Sequence, residues 1–202
     1  RGCSICWAAS VNGLFDFSTD YCQPSRFRNN ATGRRSYPVV ELPEHSSRYV
    51  TVLAEGEDAL ARAHGHFAPA IEMWRAGGGP LPDRRTLDPA RLGRLLDSVL
   101  LLKREGEDLI HRIAGDGFIA SNGDFNPTSH GIGELSATRR VARVLAPVYF
   151  DVVQRPRPVL VDIVYADDGE TLADAEMLML PYGEGEADGR LSHVLSVYRF
   201  RE

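Results

Sequence analysis

The sequence has little cysteine, and its three cysteines, Cys3, Cys6 and Cys22, all lie near the start of a chain of 202 residues. A disulfide framework for the rest of the chain is therefore excluded. Cys3 and Cys6 have the C-x-x-C spacing of half a zinc site, but a structural zinc site takes four ligands. Cys22 and His45 are candidates to complete it. Because no second C-x-x-C pair follows, we predict incidental thiols and no metal site.

Long apolar runs are also lacking. No run approaches the roughly 18 apolar residues of a membrane-spanning helix, and no charged-then-apolar signal peptide opens the chain. The 23 Lys and Arg residues face 28 Asp and Glu, which gives a net charge of -5. A nucleic-acid surface needs clustered basic residues that neutralise phosphates. We therefore expect a cytoplasmic protein that binds neither membranes nor nucleic acids.

The first quarter of the chain has no periodic pattern. Residues 29–36 are polar and turn-rich, and charge usage shifts near residue 56. We predict that residues 1–56 are a disordered or non-native leader and that residues 57–202 form one domain, since a chain of this length can bury one sizeable core. The chain begins at Arg1 and its first methionine is Met73, so we expect a fragment or a start upstream of the true one.

Helical patterning begins at residue 57. Pro69 within it predicts a kink or a new helix. The glycines at 77–79 end this helical segment, and Asp88 followed by Pro89 is typical of a helix N-cap with proline at the first helical position. Four large apolar side chains and one histidine recur every three or four residues and predict one helix face: Leu60, His64, Phe67, Ile71 and Trp74.

Strand patterns dominate the rest of the chain. The apolar run at 98–103 and the alternating residues 109–114 predict a hairpin, and the glycine-rich segment 115–134 predicts loops and short helices. A helical apolar stripe that includes Val148 follows, with Pro147 inside it. Three strands are predicted at the end of the chain, over 159–166, 171–182 and 191–200. This order favours an α+β fold, with a five-stranded antiparallel sheet, helices on one face and a preceding N-terminal helix.

At this point the chain resembles a PAS domain. The specific resemblance is to the bacterial group of that family whose members open with a tryptophan-bearing helix and a P-x-R…D-P linker. It implies leading helices over 57–97, a core over 98–200, and a sensing or interaction module with a cavity between the sheet and the helices. The segment 122–133 is longer than the family pattern. The resemblance covers roughly residues 60–200 and rests on Trp74-Arg75, Leu81-Pro82-Asp83-Arg84, Leu87-Asp88-Pro89, and the segments 109–115 and 176–181.

Three residues are candidates for lining that cavity: His111, Arg112 and Val148. His111 and Arg112 are neighbours in a predicted strand and point opposite ways, so only one of them can face the cavity. If it is His111, the ring is a candidate for binding a ligand carboxylate or, as the resemblance implies for some PAS domains, haem iron. The alternative is a hydrogen bond from His111 to a backbone carbonyl.

The apolar stripe of the leading helix has two interpretations. Leu60, Phe67, Ile71 and Trp74 pack either on the sheet or against a second copy of the chain, because an apolar helix face must be covered. The second interpretation predicts a homodimer through the leading helix.

Catalytic and metal-binding alternatives have weaker patterns. Ser129-His130 is the nearest nucleophile and base pair, but no G-x-S-x-G elbow exposes a serine. His64 and His66 are a candidate metal pair, and the acidic segment 184–188 lacks the spacing of a calcium loop. We predict a non-catalytic PAS-like sensory or interaction module that signals through a separate, unidentified partner or by self-association. The alternative is a small α+β enzyme or carrier that uses the sheet as a ligand cup.

Overall fold

The computed structural model describes residues 28–29, 35–36, 48–167, 170–185 and 189–201, and these residues build one antiparallel sheet. Neighbouring strands follow the order β1-β2-β3-β6-β7-β8-β4-β5 across the sheet. The strands are β1 (Arg28–Asn29), β2 (Arg35–Ser36), β3 (Arg48–Glu55), β4 (Val99–Glu105), β5 (Asp108–Ala114), β6 (Val159–Asp167), β7 (Glu170–Gly183) and β8 (Leu191–Phe200).

The predicted antiparallel α+β fold is confirmed, but six long strands replace the predicted five. The additional strand is β3, which pairs with β6 from Arg48 opposite Tyr165 to Glu55 opposite Val159. The predicted leader, residues 1–56, includes this strand, so the sheet extends upstream of the expected boundary. Apolar and polar residues alternate over only a few positions of β3, directly after a polar segment. The sequence pattern was therefore too short to predict a strand. Apart from β1, β2, β3 and Gly56, the leader lies outside the described residues.

Helices and short 3-10 turns connect the strands. The first proline-containing helix begins at Ala68, so the predicted break beside Pro69 is confirmed. Asp88 accepts a hydrogen bond from the Ala90 amide at 3.0 Å, which confirms the predicted N-cap before Pro89. Among the described residues, no helix has the length and apolarity needed to cross a membrane. The helices are α1 (Glu57–Arg62), α2 (Ala68–Ala76), α3 (Pro89–Leu92), α4 (Asp116–Ser121), α5 (Ile132–Thr138) and α6 (Arg140–Gln154).

The sheet separates two apolar cores because side chains alternate along each strand. On β7, Met177 and Met179 point to one face while Leu178 and Leu180 point to the other. We call the core beneath α5 and α6 the inner core and the core beneath α1, α2 and α3 the outer core. The inner core includes Leu102, Leu109, Val148, Val152, Val161, Met177, Met179 and Val194, and the outer core includes Ala59, Phe67, Ala70, Met73, Leu178, Leu180, Tyr182 and Val197.

Gly115, just before α4, lies against the backbone of residues 96–97. A Cβ at Gly115 would lie 2.2 Å from the Leu96 carbonyl oxygen and 2.5 Å from the Asp97 carbonyl carbon. Backbone atoms cannot swing aside, so we expect Gly115→Ala to lower the free energy of unfolding by about 2–3 kcal/mol, as overpacking does. Urea denaturation measures this loss.

The matched control is Gly65→Ala, whose added Cβ would meet no atom within 4 Å. We expect it to change the free energy of unfolding by less than about 0.5 kcal/mol. Equal losses in the two variants would contradict the close approach at Gly115.

Candidate functional site

Three hydroxyl groups meet in the inner core, where α6 faces β8. The Tyr149 hydroxyl lies 3.1 Å from Ser196 Oγ and 3.2 Å from the Tyr198 hydroxyl. The sulfur of Met177 lies 3.6 Å from the same Tyr149 oxygen. All three hydroxyl-bearing residues are buried. Because each hydroxyl can donate and accept, they satisfy one another in an otherwise apolar interior.

Burial controls the chemistry of these phenols. It raises the pKa of Tyr149 above its usual value. Burial also raises the pKa of Tyr198 well above the usual value, and the neighbouring Tyr149 adds to the effect. Both phenols are therefore protonated at neutral pH. The cluster can hold α6 on β8, or bind a polar group of a ligand, but its phenols are poor bases.

An aromatic wall extends from the hydroxyl cluster to the end of the sheet. The ring of Phe118, on α4, lies 5.0 Å from the Tyr198 ring. Tyr198 in turn stacks on Phe200 with the ring centres 5.8 Å apart. Phe118 and Phe200 are half-buried at the margin of the inner core. This wall connects the short helix α4 to the buried hydroxyls through contacting rings.

His111 is fixed by the loop that follows α4. Its Nδ1 donates to the His130 carbonyl oxygen at 2.8 Å, and its backbone amide donates to the same oxygen at 3.0 Å. The residue is only 3% exposed. Burial lowers the pKa of His111, which keeps the ring neutral at pH 7. This is the backbone-carbonyl contact given above as the alternative to ligand binding; a haem role for His111 stays a prediction.

The other two candidate cavity residues, Arg112 and Val148, differ in burial. Arg112 is exposed and pairs with Glu105 across the β4–β5 hairpin. It points away from the inner core, as the alternation along β5 requires. Val148, on α6, is fully buried in the inner core. The structure therefore places Val148 in the same core as the hydroxyl cluster and does not bring Arg112 to it.

The loop over 129–131 covers part of the edge strand β5. Ser129 has a φ of 73° and donates its amide to the His111 carbonyl at 2.8 Å. Gly131 forms a bridge with Ile110. The His130 ring pairs with Glu134 at 2.9 Å. Covering an edge strand satisfies its free backbone groups, so this Ser129-His130 pair has a structural explanation.

The leading-helix residues predicted to form an interface are all buried in their own chain. Leu60, Phe67, Ile71 and Trp74 are 5%, 0%, 8% and 4% exposed and belong to the outer core. The indole of Trp74 donates to the Pro181 carbonyl at 2.8 Å. The first of the two interpretations, packing on the sheet, describes this structure. A helical stripe has the same spacing whether a sheet or a second copy covers it, so the pattern could not separate the two.

The two histidines considered as a metal pair have separate partners. His64 Nδ1 accepts from the His66 amide at 3.0 Å, and His66 Nε2 lies 3.2 Å from the Tyr198 carbonyl oxygen. Within the part of the chain that the structure describes, no group of three His, Cys, Asp or Glu side chains is placed to hold a metal ion. Cys3, Cys6, Cys22 and His45, together with residues 186–188, lie outside the described residues.

A family model described as a PAS domain matches residues 64–195, from the turn before α2 into β8. The chain belongs to the PAS domain family. The predicted resemblance to a PAS domain is thus confirmed over more than half of the chain. A solved structure, the PAS domain from Bordetella pertussis BvgS, is 18% identical and covers 54% of this chain and 82% of that chain, with a TM-score of 0.42. Among curated proteins, no significant match was found.

The sequence analysis did not predict the hydroxyl cluster of this PAS domain, although two signals were present. Ser196 is a polar residue at an inward position between Leu195 and Val197, inside a strand of apolar residues. Tyr149 directly follows Val148 on the apolar stripe of α6. Because β8 and α6 are distant in sequence, no local pattern indicates that Tyr149 and Ser196 meet.

Proposed function

We propose that this PAS domain is a non-catalytic sensory or protein-interaction module that signals through a separate partner or through self-association. The observation that carries the proposal is that β7 and β8 supply side chains to both cores. A change of packing on one face of these strands therefore acts on the face that holds the leading helices. Closely packed interiors transmit such strain because they contain few voids.

In this proposal the coupling runs through contacts on both faces of the sheet. On the inner side, Ser196 and Tyr198 of β8 contact Tyr149 of α6. On the outer side, the carbonyl of Pro181 on β7 accepts from Trp74 of α2. β7 and β8 pair along most of their length, with Met179 opposite Ser196 and Pro181 opposite Val194. The paired strands β7 and β8 thus connect the hydroxyl cluster to the leading helices. In this proposal, a ligand bound at the cluster, or a change in its packing, acts on the helices through these two strands.

The non-catalytic part of the proposal is supported by how three buried titratable groups, His111, Tyr149 and Tyr198, are used. His111 is fixed to a backbone carbonyl, and the phenols of Tyr149 and Tyr198 bond to each other. Catalytic acids and bases need a pKa near the working pH. Burial instead keeps the pKa of both phenols above the usual value.

The partner in this proposal meets the outward face of the leading helices. Glu57, Asp58, Glu72 and Arg75 are exposed there, with Arg75 paired to Glu57 at 3.2 Å. Since the apolar stripe is buried, we propose that a separate partner, or a second copy, recognises this charged face. A cytoplasmic location belongs to the same proposal.

Native mass spectrometry of the full 202-residue chain, purified from its expression host, tests the proposal. We expect a small molecule retained in stoichiometric amount, or a dimer. A retained molecule that is recovered unchanged after incubation supports the sensor, whereas chemical conversion would favour the alternative, a small enzyme. A monomer without a bound molecule would contradict both ligand binding and self-association.

A further inference from the structure

Strands β4 and β8 separate at one end of the sheet. Their pairing runs from Val99 opposite Val197 to Lys103 opposite His193, where it ends. β4 nevertheless continues to Glu105, and β8 begins at Leu191. A cleft of about 460 Å³ lies where the two strands part. Its lining residues are Lys103, Arg104, Gly106, Glu184, Arg190, Leu191, Ser192 and His193.

The lining of this cleft is positively charged in a chain whose net charge is -5. It contains the cations Lys103, Arg104 and Arg190 and the carboxylate Glu184. Lys103 pairs with Glu105 at 3.3 Å and Arg104 with Glu107 at 3.4 Å. The Lys103–Glu105 pair is exposed and contributes little stability, so Lys103 can turn toward an anion at small cost. Arg104 is half-buried, and its Nε donates to the Gly106 carbonyl at 2.8 Å, which holds the guanidinium beside the cleft.

Two nearly buried polar residues also line the cleft. Ser192 and His193 are each 9% exposed. Ser192 Oγ lies 3.0 Å from His193 Nδ1 and 3.3 Å from the Tyr182 carbonyl oxygen, which fixes both side chains. Burial lowers the pKa of His193, and the positive charges of the nearby Arg84 and Lys103 lower it further. The negative charge of Glu184 acts in the opposite direction. The imidazole thus lies in a positive potential.

We propose that this cleft binds a small oxyanion of more than one negative charge, carried by phosphate or carboxylate groups. Lysine and arginine form charge-assisted hydrogen bonds to both groups. The buried Ser192 and His193 bond to each other and form the floor of the cleft beneath these cations. The volume falls within the range of about 300–1,000 Å³ typical of small-molecule sites. The cleft lies at the hairpin end of the sheet, separate from the hydroxyl cluster, so this inference does not depend on the proposed function.

Isothermal titration calorimetry of the full chain tests the proposal, with inorganic pyrophosphate and citrate as separate probes. Salt is kept near 0.15 M, where distant surface charges are screened. We expect a Kd below about 1 mM for at least one probe. The combined variant K103Q and R190Q should weaken that binding at least about tenfold, because it removes two charge-assisted partners. Binding of pyrophosphate alone would identify phosphate recognition, and binding of citrate alone would identify carboxylate recognition.

The matched control is the combined variant R62Q and R94Q, which also removes two exposed cations, neither of which lines the cleft. We expect its Kd to stay within about twofold of the unmodified chain, since every cation of the cleft lining is still present. The single variant Lys103→Arg, which keeps Arg190 and the positive charge at 103, should bind the probe as the unmodified chain does. If the combined cleft variant does not fold in a thermal melt, Arg104→Gln carries the same expectation. Failure of both probes to bind at about 10 mM, or equal weakening in the control, would overturn the proposal.

Discussion

Trp74→Ala is expected to lower the free energy of unfolding by about 3–5 kcal/mol, the usual cost of truncating a buried tryptophan. The side chain is 4% exposed in the outer core, and its indole donates to the Pro181 carbonyl at 2.8 Å. Trp74→Phe keeps most of the apolar contact but leaves that carbonyl without this donor. We expect it to cost about 1–2 kcal/mol. Urea denaturation followed by circular dichroism measures both losses.

Glu72→Ala is the control for Trp74, since Glu72 is exposed on the same helix. It should change the free energy of unfolding by less than about 0.5 kcal/mol. Light scattering on the same samples distinguishes the two interpretations of the apolar stripe. A Trp74→Ala variant with unchanged monomer stability but weaker dimerisation would contradict packing on the sheet.

Arg157→Met is expected to lower the free energy of unfolding by about 2–3 kcal/mol, because it removes one of the two arginines that pair with the buried Asp151 carboxylate. Arg157 donates to Asp151 at 2.5 Å and to Glu55 at 2.8 Å. It therefore joins α6 to β3, the strand that sequence patterns missed. Thermal and urea unfolding of the variant measure the loss.

The loss should depend on pH in a defined direction. Burial acts to raise the pKa of Asp151, but hydrogen bonds from Arg157 and Arg155 hold it below the usual value. A depressed carboxylate pKa stabilises the fold above the unfolded value of about 3.9, and this contribution disappears as the pH falls through the folded pKa. The difference between the variant and the unmodified chain should therefore shrink below about pH 4.

Arg75→Met is the matched control for Arg157, since Arg75 pairs with Glu57 in an exposed position. It should cost less than about 1 kcal/mol, as exposed ion pairs do. Equal losses for Arg75→Met and Arg157→Met, or a loss that does not depend on pH, would contradict a buried network between α6 and β3.

Local signals predicted much of this fold. Asp88 before Pro89 is a local helix-start signal that does not depend on tertiary contacts, and α3 begins there. The apolar runs at 159–166 and 191–200 lie in strands β6 and β8. The sequence predicts the stripe ending at Trp74 but leaves two surfaces that could cover it, the sheet or a second copy. Side-chain spacing describes a helix face and carries no information on its partner.

The candidate site was less predictable because it joins distant segments. Tyr149 and Ser196 meet across 47 residues of sequence, and the polar cleft forms where two strands part. His111 was recognised as unusual, but its partner is the carbonyl of His130 on a glycine-rich loop. Each of these contacts depends on strand register and loop geometry, which a single sequence does not determine.

Hydrogen exchange of the leading helices after a change in the inner core tests the coupling across the sheet most directly. Val148 is fully buried in the inner core, on the opposite face of the sheet from α2. The control is Val144→Ala, one turn earlier on α6, where the side chain is half-buried. We predict that Val148→Ala speeds amide exchange in peptides covering 57–76 by at least about tenfold, against about twofold for the control, since a cavity shifts strands that serve both cores. Unchanged exchange over 57–76, or the same acceleration in every element of the fold, would contradict the coupling.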